Sequence, residues 1–183
     1  MEKQKTAILI DNRCGPSAVP PARIRRAAAA ALNALGSPDG ELSIVLLDDA
    51  AIAAINREYL NRSGPTNVIA FPMREGPFSE ITPALLGDVV ISMETAAREA
   101  EAAGIPMETR FLELLVHGIL HLFGFDHETD PTNARRMEQK SAEILEIILG
   151  TIDNRAFRCT FALVSSFELT SFLLLIKPSD NNA

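Results

Sequence analysis

The segment HGILHLFGFDH, residues 117–127, constrains the fold of this chain more than any other feature. It contains all three histidines of the chain, His117, His121 and His127. The first two are four positions apart, so on a helix both imidazoles project from the same face. Gly124 can end that helix at positive φ, which glycine adopts at little cost, and the chain can then turn back. The segment therefore predicts a helix followed by a tight loop that brings the third imidazole to the first two.

Three neutral imidazoles around one point, with a fourth position left open, are typical of a catalytic zinc ion. A bound ion would also offset the free energy needed to place these rings among apolar neighbours. Three nitrogen ligands favour zinc over other first-row metals. The alternative is that the three histidines are unrelated and pack separately in the core. Their confinement to residues 117–127 at ligand spacing favours one zinc ion held by His117, His121 and His127.

The same histidine spacing occurs in the metzincin proteases, whose signature is HExxHxxGxxH. The glutamate that serves those proteases as general base is replaced here by Gly118. Without that carboxylate, a metal-bound water lacks its usual proton acceptor, which argues against peptide hydrolysis by that scheme. The ligand spacing alone suggests a zinc peptidase, so this is the first alternative function, and Gly118 argues against it.

The rest of the chain alternates short apolar runs with stretches of helical periodicity. The apolar runs predict four strands, at residues 6–12, 42–47, 67–71 and 86–92. Five helices are predicted by apolar spacing, cap residues and stop glycines. They begin at Pro21, after Asp48 or Asp49, at Ser92, at Pro106 and at Pro131, and they end near Gly36, Leu60, Ala103, Phe123 and Gly150. On the second helix, Ile52, Ile55 and Tyr59 are expected to face the core.

Strands dominate the first half of the chain and helices the second, which predicts an α+β fold. We expect a single domain over residues 1–150, with a mixed four-stranded sheet packed by about five helices. The metal site would lie on the fourth helix and the loop after it. Residues 151–183 form a C-terminal tail of different character. Its apolar stretch 157–176 contains Arg158 and Glu168, which disfavour a membrane span.

Charge and cysteine content exclude further classes. The net charge of −7 argues against broad, non-specific binding to nucleic acid, although a local basic cleft is compatible with it. Cys14 and Cys159 are far apart and no CxxC motif occurs, so both are expected to be reduced thiols in the cytoplasm. The N-terminal apolar run is too short for the core of a signal peptide.

The histidine segment also resembles a known family. HGILHLFGFDH is similar to the HGxLHLxGxDH signature of the YbeY family, bacterial metal-dependent endoribonucleases of rRNA maturation. PTNVIAFP, residues 65–72, is similar to that family's PT[DN]VLSFP, and LGDVVIS, residues 86–92, to its LGDIxIS. Met137 and residues 143–145 resemble its last helix. The resemblance covers roughly residues 8–150.

The resemblance implies an α+β fold, one zinc ion on the three histidines, and cleavage of single-stranded RNA. It also implies action on the 16S rRNA precursor, in 3′-end maturation, and on ribosomal subunits in late quality control. The family commonly has an arginine after the tyrosine of its YRxKD segment. Here Tyr59 is followed by Leu60, and the nearest basic residue is Arg62. A non-catalytic ribosome assembly factor, in which zinc only fixes the helix to its loop, is the second alternative function.

Four further residues are candidates for the chemistry. Arg62 can contact a phosphate, because a guanidinium is a permanently charged, bidentate donor. Asp126 can orient a neighbouring histidine by accepting its second ring proton. Thr66 and Asn67 are candidate RNA contacts. Each also has a structural alternative: a solvated loop arginine, a capping aspartate, and turn residues that begin a strand.

Gly118 suggests one more hypothesis about the site. A glycine at this position would leave space beside the metal, where a protease has its carboxylate. A phosphate oxygen of the substrate could enter that space.

Overall fold

The computed structural model of this chain describes residues 7–16, 18–74, 84–125 and 130–152. Within these ranges it contains four strands and five helices. The strands are β1 (Ile8–Asn12), β2 (Glu41–Leu47), β3 (Val68–Pro72) and β4 (Leu85–Ser92). The helices are α1 (Pro21–Ala34), α2 (Asp49–Leu60), α3 (Met93–Ala103), α4 (Met107–Leu122) and α5 (Pro131–Ile152).

The strands form one mixed sheet in the order β1-β2-β4-β3. The first three strands in that order are parallel, and β3 pairs with β4 in the antiparallel direction. Parallel neighbours need a crossover connection, which α1 supplies between β1 and β2. The predicted α+β class, the four strands and the five helices are therefore confirmed.

The helices begin where the sequence supplies cap residues. The Asp48 carboxylate accepts the backbone N–H of Ala51 at 2.8 Å, and the Ser92 hydroxyl accepts that of Thr95 at 3.1 Å. Each of these side chains satisfies a backbone donor that has no partner within the first turn of its helix. Proline opens α5 after Asp130, whose carboxylate accepts the N–H of Thr132 at 2.8 Å.

The two faces of the sheet are covered unequally. On one face, α1, α4 and α5 enclose the main core, which includes Ile44, Val89, Phe111 and Ile144. On the other face, α2 covers a smaller group centred on Ile52 and Val90. Because α4 packs on the main core beside β3 and β4, the buried sheet fixes the position of the helix that carries two of the histidines.

Two local expectations are wrong. Helix α5 does not stop at Gly150 but continues to Ile152, because a single glycine weakens a helix without ending it. Tyr59 does not face the core: 64% of its surface is exposed, and its ring meets Phe71 edge-on with centroids 5.5 Å apart. The periodicity was correct at Ile52, but the last turn of α2 extends beyond the small core that this helix covers.

No helix in the described ranges is both long and apolar enough to cross a membrane. The apolar stretch at 157–176 and the second cysteine, Cys159, lie outside the described residues. Cys14 is a free thiol, as expected. The division into a domain at 1–150 and a tail at 151–183 stays a prediction.

Candidate metal centre

Most residues of helix α4 are buried, because the helix packs against α1, α3, α5 and two strands of the sheet. Its apolar residues Phe111, Leu115, Val116 and Ile119 have no exposed surface. In such a helix, a polar ring needs either a partner or an opening to solvent. His117 lies in this environment with only 8% of its surface exposed, whereas His121 is half-buried. The pair therefore lies where α4 passes from the core to the surface.

The spacing of the two histidines brings their rings together as expected. The two Nε2 atoms are 3.1 Å apart, and the rings meet at 78° with centroids 4.7 Å apart. At this distance two imidazole nitrogens share either one proton or one ion. Two nitrogens that each lie about 2.0–2.1 Å from a tetrahedral zinc ion are about 3.3 Å from one another. The described part of the donor set therefore fits a zinc ion.

The end of α4 is shaped by Gly124, which has φ of +77°. Its N–H donates to the carbonyl of His121 at 3.0 Å, and the next N–H, of Phe125, donates to the carbonyl of Leu120 at 3.1 Å. These bonds satisfy carbonyls of the last helical turn and reverse the chain, as the sequence predicts. The reversal leads into residues 126–129, which lie outside the described ranges.

Asp126 and His127 both belong to that undescribed segment, so their positions stay predictions. Within the described ranges, no three histidine, cysteine, aspartate or glutamate side chains are grouped to hold a metal. The structure thus brings together two of the three predicted ligands.

The space beside Gly118 is not open to a substrate. A Cβ built on Gly118 would lie 2.6 Å from Cγ1 of Val89 and 3.2 Å from Cγ2 of Val68. Both contacts are shorter than the usual separation of about 3.5–4.0 Å between carbon atoms. The hypothesis that a phosphate oxygen enters here is therefore wrong. Glycine occupies this position because α4 passes close to the sheet here. The side of α4 that faces the sheet differs from the side that carries the histidines.

The remaining candidates lie on the connection from α2 to β3. Asn61 ends α2 in the left-handed conformation, and the N–H of Arg62 then donates to the carbonyl of Asn56 at 3.2 Å. The Arg62 side chain is exposed, and Thr66 is half-buried just before β3. The structure thus places Arg62 in an exposed loop, and its contact with a phosphate stays a prediction.

Asn67 is buried and bonded within the protein. Its amide nitrogen donates to Glu99 at 3.0 Å, and its amide oxygen accepts the N–H of Val68 at 2.8 Å. These bonds account for an asparagine at the start of β3 without any RNA. Contact of Asn67 with RNA stays a prediction.

A buried charged network, which sequence reasoning missed, continues from Asn67 into α4. Arg110 has 3% of its surface exposed and pairs at 2.9 Å with both Glu99 and Glu113. Burial raises the pKa of the Glu113 carboxyl; hydrogen bonding and charge from Arg110 oppose that rise, and the charge of Glu99 adds to it. Glu113 lies one helical turn before His117, so this network fixes the first half of the helix that carries the histidine pair. The only sequence signal was the three-residue spacing of Arg110 and Glu113.

Cys14 is the one described residue that could serve as a thiol nucleophile, and its surroundings do not activate it. Burial raises the pKa of this thiol, and the nearby carboxylates of Asp48 and Glu94 raise it further. A reactive cysteine needs a lowered pKa, because the thiolate is the nucleophile. Covalent chemistry at Cys14 is therefore disfavoured.

Comparison with known proteins identifies relatives along most of the chain. The family model described as Endoribonuclease YbeY matches residues 10–148. A protein named Endoribonuclease YbeY from Geobacter metallireducens is 50% identical over 145 residues, which are 79% of this chain and 95% of that protein. Proteins of the same name from Geobacter sulfurreducens and Syntrophotalea carbinolica are 48% identical over 142 residues and 46% identical over 138 residues. These two matches cover 77% and 75% of this chain and 95% and 92% of those proteins.

A solved structure supports the same fold. The solution structure of a Thermotoga maritima protein matches with a TM-score of 0.57 at 20% identity and covers 96% of this chain and 99% of that one. At that identity the match concerns the fold alone. The family model and the relatives at 46–50% identity concern the sequence, and by both this chain belongs to the YbeY endoribonuclease family.

Proposed function

We propose that this protein is an endoribonuclease that cleaves single-stranded RNA with the help of one zinc ion held by His117, His121 and His127. The observation that carries the proposal is the 3.1 Å separation of two imidazole Nε2 atoms on α4, in a chain whose relatives are named Endoribonuclease YbeY. When bound, such an ion supplies a Lewis acid that offsets charge on a phosphoryl group.

The residues of the chain itself prepare this site. Packing of α4 against the sheet holds His117 and His121 in fixed orientations, so little conformational entropy is lost when both rings act on one ion. Apolar neighbours such as Leu114 and Leu120 exclude water from the inner side, so charges act there through a lower dielectric constant. The outer side, at the half-buried His121, is the side from which a substrate can approach.

Four residues complete the proposal. Arg62 extends from an exposed loop, where its guanidinium can bind a substrate phosphate. Thr66 and Asn67, at the start of β3, would contact the RNA strand. Asp126 would accept a ring proton from a ligand histidine and so hold that ring in place.

The family membership also supports a place for the reaction in the cell. We propose that the substrate is the 16S rRNA precursor at its 3′ end, on ribosomal subunits in the cytoplasm, in maturation and late quality control. The catalytic domain would be residues 1–150, and residues 151–183 would form an appended tail. The family model ends at residue 148, near that boundary.

Metal analysis and a cleavage assay on the same preparations test the proposal. Wild-type protein, His117→Ala and His121→Ala are compared for bound zinc and for cleavage of a 16S precursor RNA. Glu146→Ala, an exposed substitution on α5, serves as a control for general effects of mutation. We expect each histidine variant to lose zinc. Its activity should fall by more than the roughly 10- to 100-fold that follows removal of a residue that only hydrogen-bonds to a metal ligand.

Three outcomes would contradict the proposal, each in a different way. RNA cleavage that persists unchanged in His121→Ala after chelation would exclude metal-dependent cleavage. Hydrolysis of casein by the zinc-loaded protein, without RNA cleavage, would indicate a peptidase. Zinc binding and ribosomal-subunit binding without RNA cleavage, even at high protein concentration, would indicate a non-catalytic assembly factor.

A further inference from the structure

Beside the histidine helix, the start of α5 and the chain after α4 enclose a small cavity. It measures about 160 Å³ and is lined by Phe123, Gly124, Phe125, Asn133 and Arg136. The N–H of Gly124 is bonded to the carbonyl of His121, so the cavity begins at the end of the helical turn that carries the second histidine. It thus adjoins the turn that carries His121, and neither His117 nor His121 lines it.

The chemistry of this cavity suits an anion. Arg136 brings its guanidinium over the ring of Phe125, with Cζ 5.6 Å from the centroid, and this contact holds the charged group at the cavity wall. Asn133 adds an amide in the first turn of α5, at the positive end of the helix dipole. The nearest described acidic residues in sequence are Glu138, which does not line the cavity, and Asp130, whose carboxylate caps α5.

Several described arginines form no ion pair, and Arg136 is the one of these that lines the cavity. The protein carries a net charge of −7, so acidic side chains outnumber the cations that could pair with them. Among the described residues, no carboxylate forms an ion pair with Arg136, whereas Arg98, Arg110 and Lys140 are each paired. A guanidinium that is held by a ring and has no carboxylate partner in the described part of the chain is suited to bind an external anion.

We propose that the cavity around Arg136 is a phosphate-binding subsite for the backbone of single-stranded RNA. The choice of RNA as the ligand rests on the proposed endoribonuclease function. Arg136 binds one phosphate with its outer guanidinium edge, and Phe125 keeps that edge in place. A strand held here continues past the turn at Gly124 toward the histidine pair, so the contact aligns the substrate without taking part in bond cleavage.

Binding measurements test the subsite separately from catalysis. The probe is a fluorescently labelled, 2′-O-methylated uridylate of 12 nucleotides, whose integrity is checked on a gel after each titration. Arg136→Ala is compared with Arg135→Ala, which removes the same charge from the adjacent exposed position that does not line the cavity. Phe125→Leu keeps an apolar side chain but removes the stacked ring.

We expect Arg136→Ala to weaken binding about tenfold and to reduce the slope of log K against log salt concentration by about 0.7. Arg135→Ala should change affinity less than about twofold, because an exposed charge outside the subsite acts only through screened solvent. Phe125→Leu should fall between the two. Circular dichroism and urea unfolding of each variant check that the fold is retained.

The inference is overturned if the wild-type protein does not bind the probe, or if the two arginine variants lose affinity equally. It is also overturned if inorganic phosphate displaces the probe below about 1 mM, since the cavity would then be a site for a small free anion. If the wild-type protein cleaves RNA and Arg136→Ala binds the probe as tightly as the wild-type protein does, the subsite is excluded and the proposed function is retained. If Arg136→Ala binds the probe more weakly but the wild-type protein does not cleave RNA, the proposed function is excluded and the subsite is retained.

Discussion

Substitution of Gly118 by alanine tests the closest approach between the histidine helix and the sheet. The added Cβ would lie 2.6 Å from Cγ1 of Val89, about 1 Å closer than carbon atoms normally approach. Val89 cannot move aside, because it is fully buried in β4 and a β-branched side chain has few rotamers. Overpacking of this kind costs about 1–3 kcal/mol, whereas alanine is favoured over glycine in a helix by about 1 kcal/mol.

The clash should outweigh the helix preference, because Val68 is a second close neighbour of the same Cβ. We expect Gly118→Ala to lower the free energy of unfolding by about 1–2 kcal/mol, measured by urea denaturation. The corresponding fall in Tm is about 2–4 °C per kcal/mol for a chain of this size. Gly150→Ala is the matched control: this glycine also lies in a helix, but its Cβ would meet nothing within 4 Å. That substitution should raise stability by about 0.5–1 kcal/mol.

A second variant distinguishes steric overlap from other causes. Val89→Ala alone should cost about 2 kcal/mol, since it removes two buried methyl groups and leaves a cavity. Combined with Gly118→Ala it should cost about 1–2 kcal/mol less than the sum of the two, because the new methyl group partly fills that cavity. The reasoning is refuted if Gly118→Ala is as stable as the wild-type protein, or if the two substitutions are additive.

Three further predictions concern other contacts. Asn61, at φ of 54°, should tolerate glycine within a few tenths of a kcal/mol in urea denaturation, whereas valine should cost about 1–2 kcal/mol. Burial raises the pKa of the Asp49 carboxyl. Hydrogen bonds from two hydroxyls and a guanidinium outweigh this effect, so the pKa is lowered. The stability that the ionised Asp49 contributes is present above the pKa of the unfolded chain and is lost as pH falls through the lowered pKa of the folded protein. Between pH 6 and pH 3, the free energy of unfolding should therefore fall less for Asp49→Asn than for the wild-type protein. Arg110→Met should cost about 3 kcal/mol in the same assay, because it leaves the mostly buried carboxylates of Glu99 and Glu113 without their cation. A cost under 1 kcal/mol would contradict this pairing.

The order and type of the elements could be predicted because they depend on local chemistry. The apolar run of β2 and the capping carboxylate of Asp48 are local in sequence, and both appear where expected. Tyr59 was misplaced because periodicity shows which residues share a helix face but not how far the covering sheet extends. That extent is a tertiary quantity: Tyr59 projects beyond the small core under α2, and its ring meets that of Phe71 edge-on.

The site was predictable only in part, for the same physical reason. The pairing of His117 and His121 follows from helix geometry alone, since positions four apart share a face. By contrast, Asn67 and Glu99 are 32 residues apart and meet only after β3 and α3 have docked. No short-range pattern indicates such a contact, so the buried network around Arg110 became visible only in the folded chain.

Gly118 shows that one side of α4 packs on the sheet while another side carries the histidine pair. Successive residues of a helix point about 100° apart, so the residue after His117 faces a different surface from the histidine pair. In this fold that surface is the sheet, where Val89 leaves no space for a side chain. A Cβ at position 118 already meets Val89, so a glutamate introduced there would disturb the packing of α4 on β4. The glycine that separates this chain from the metzincin signature is thus required by the packing of α4 on its sheet, and position 118 cannot supply a carboxylate without disturbing that packing.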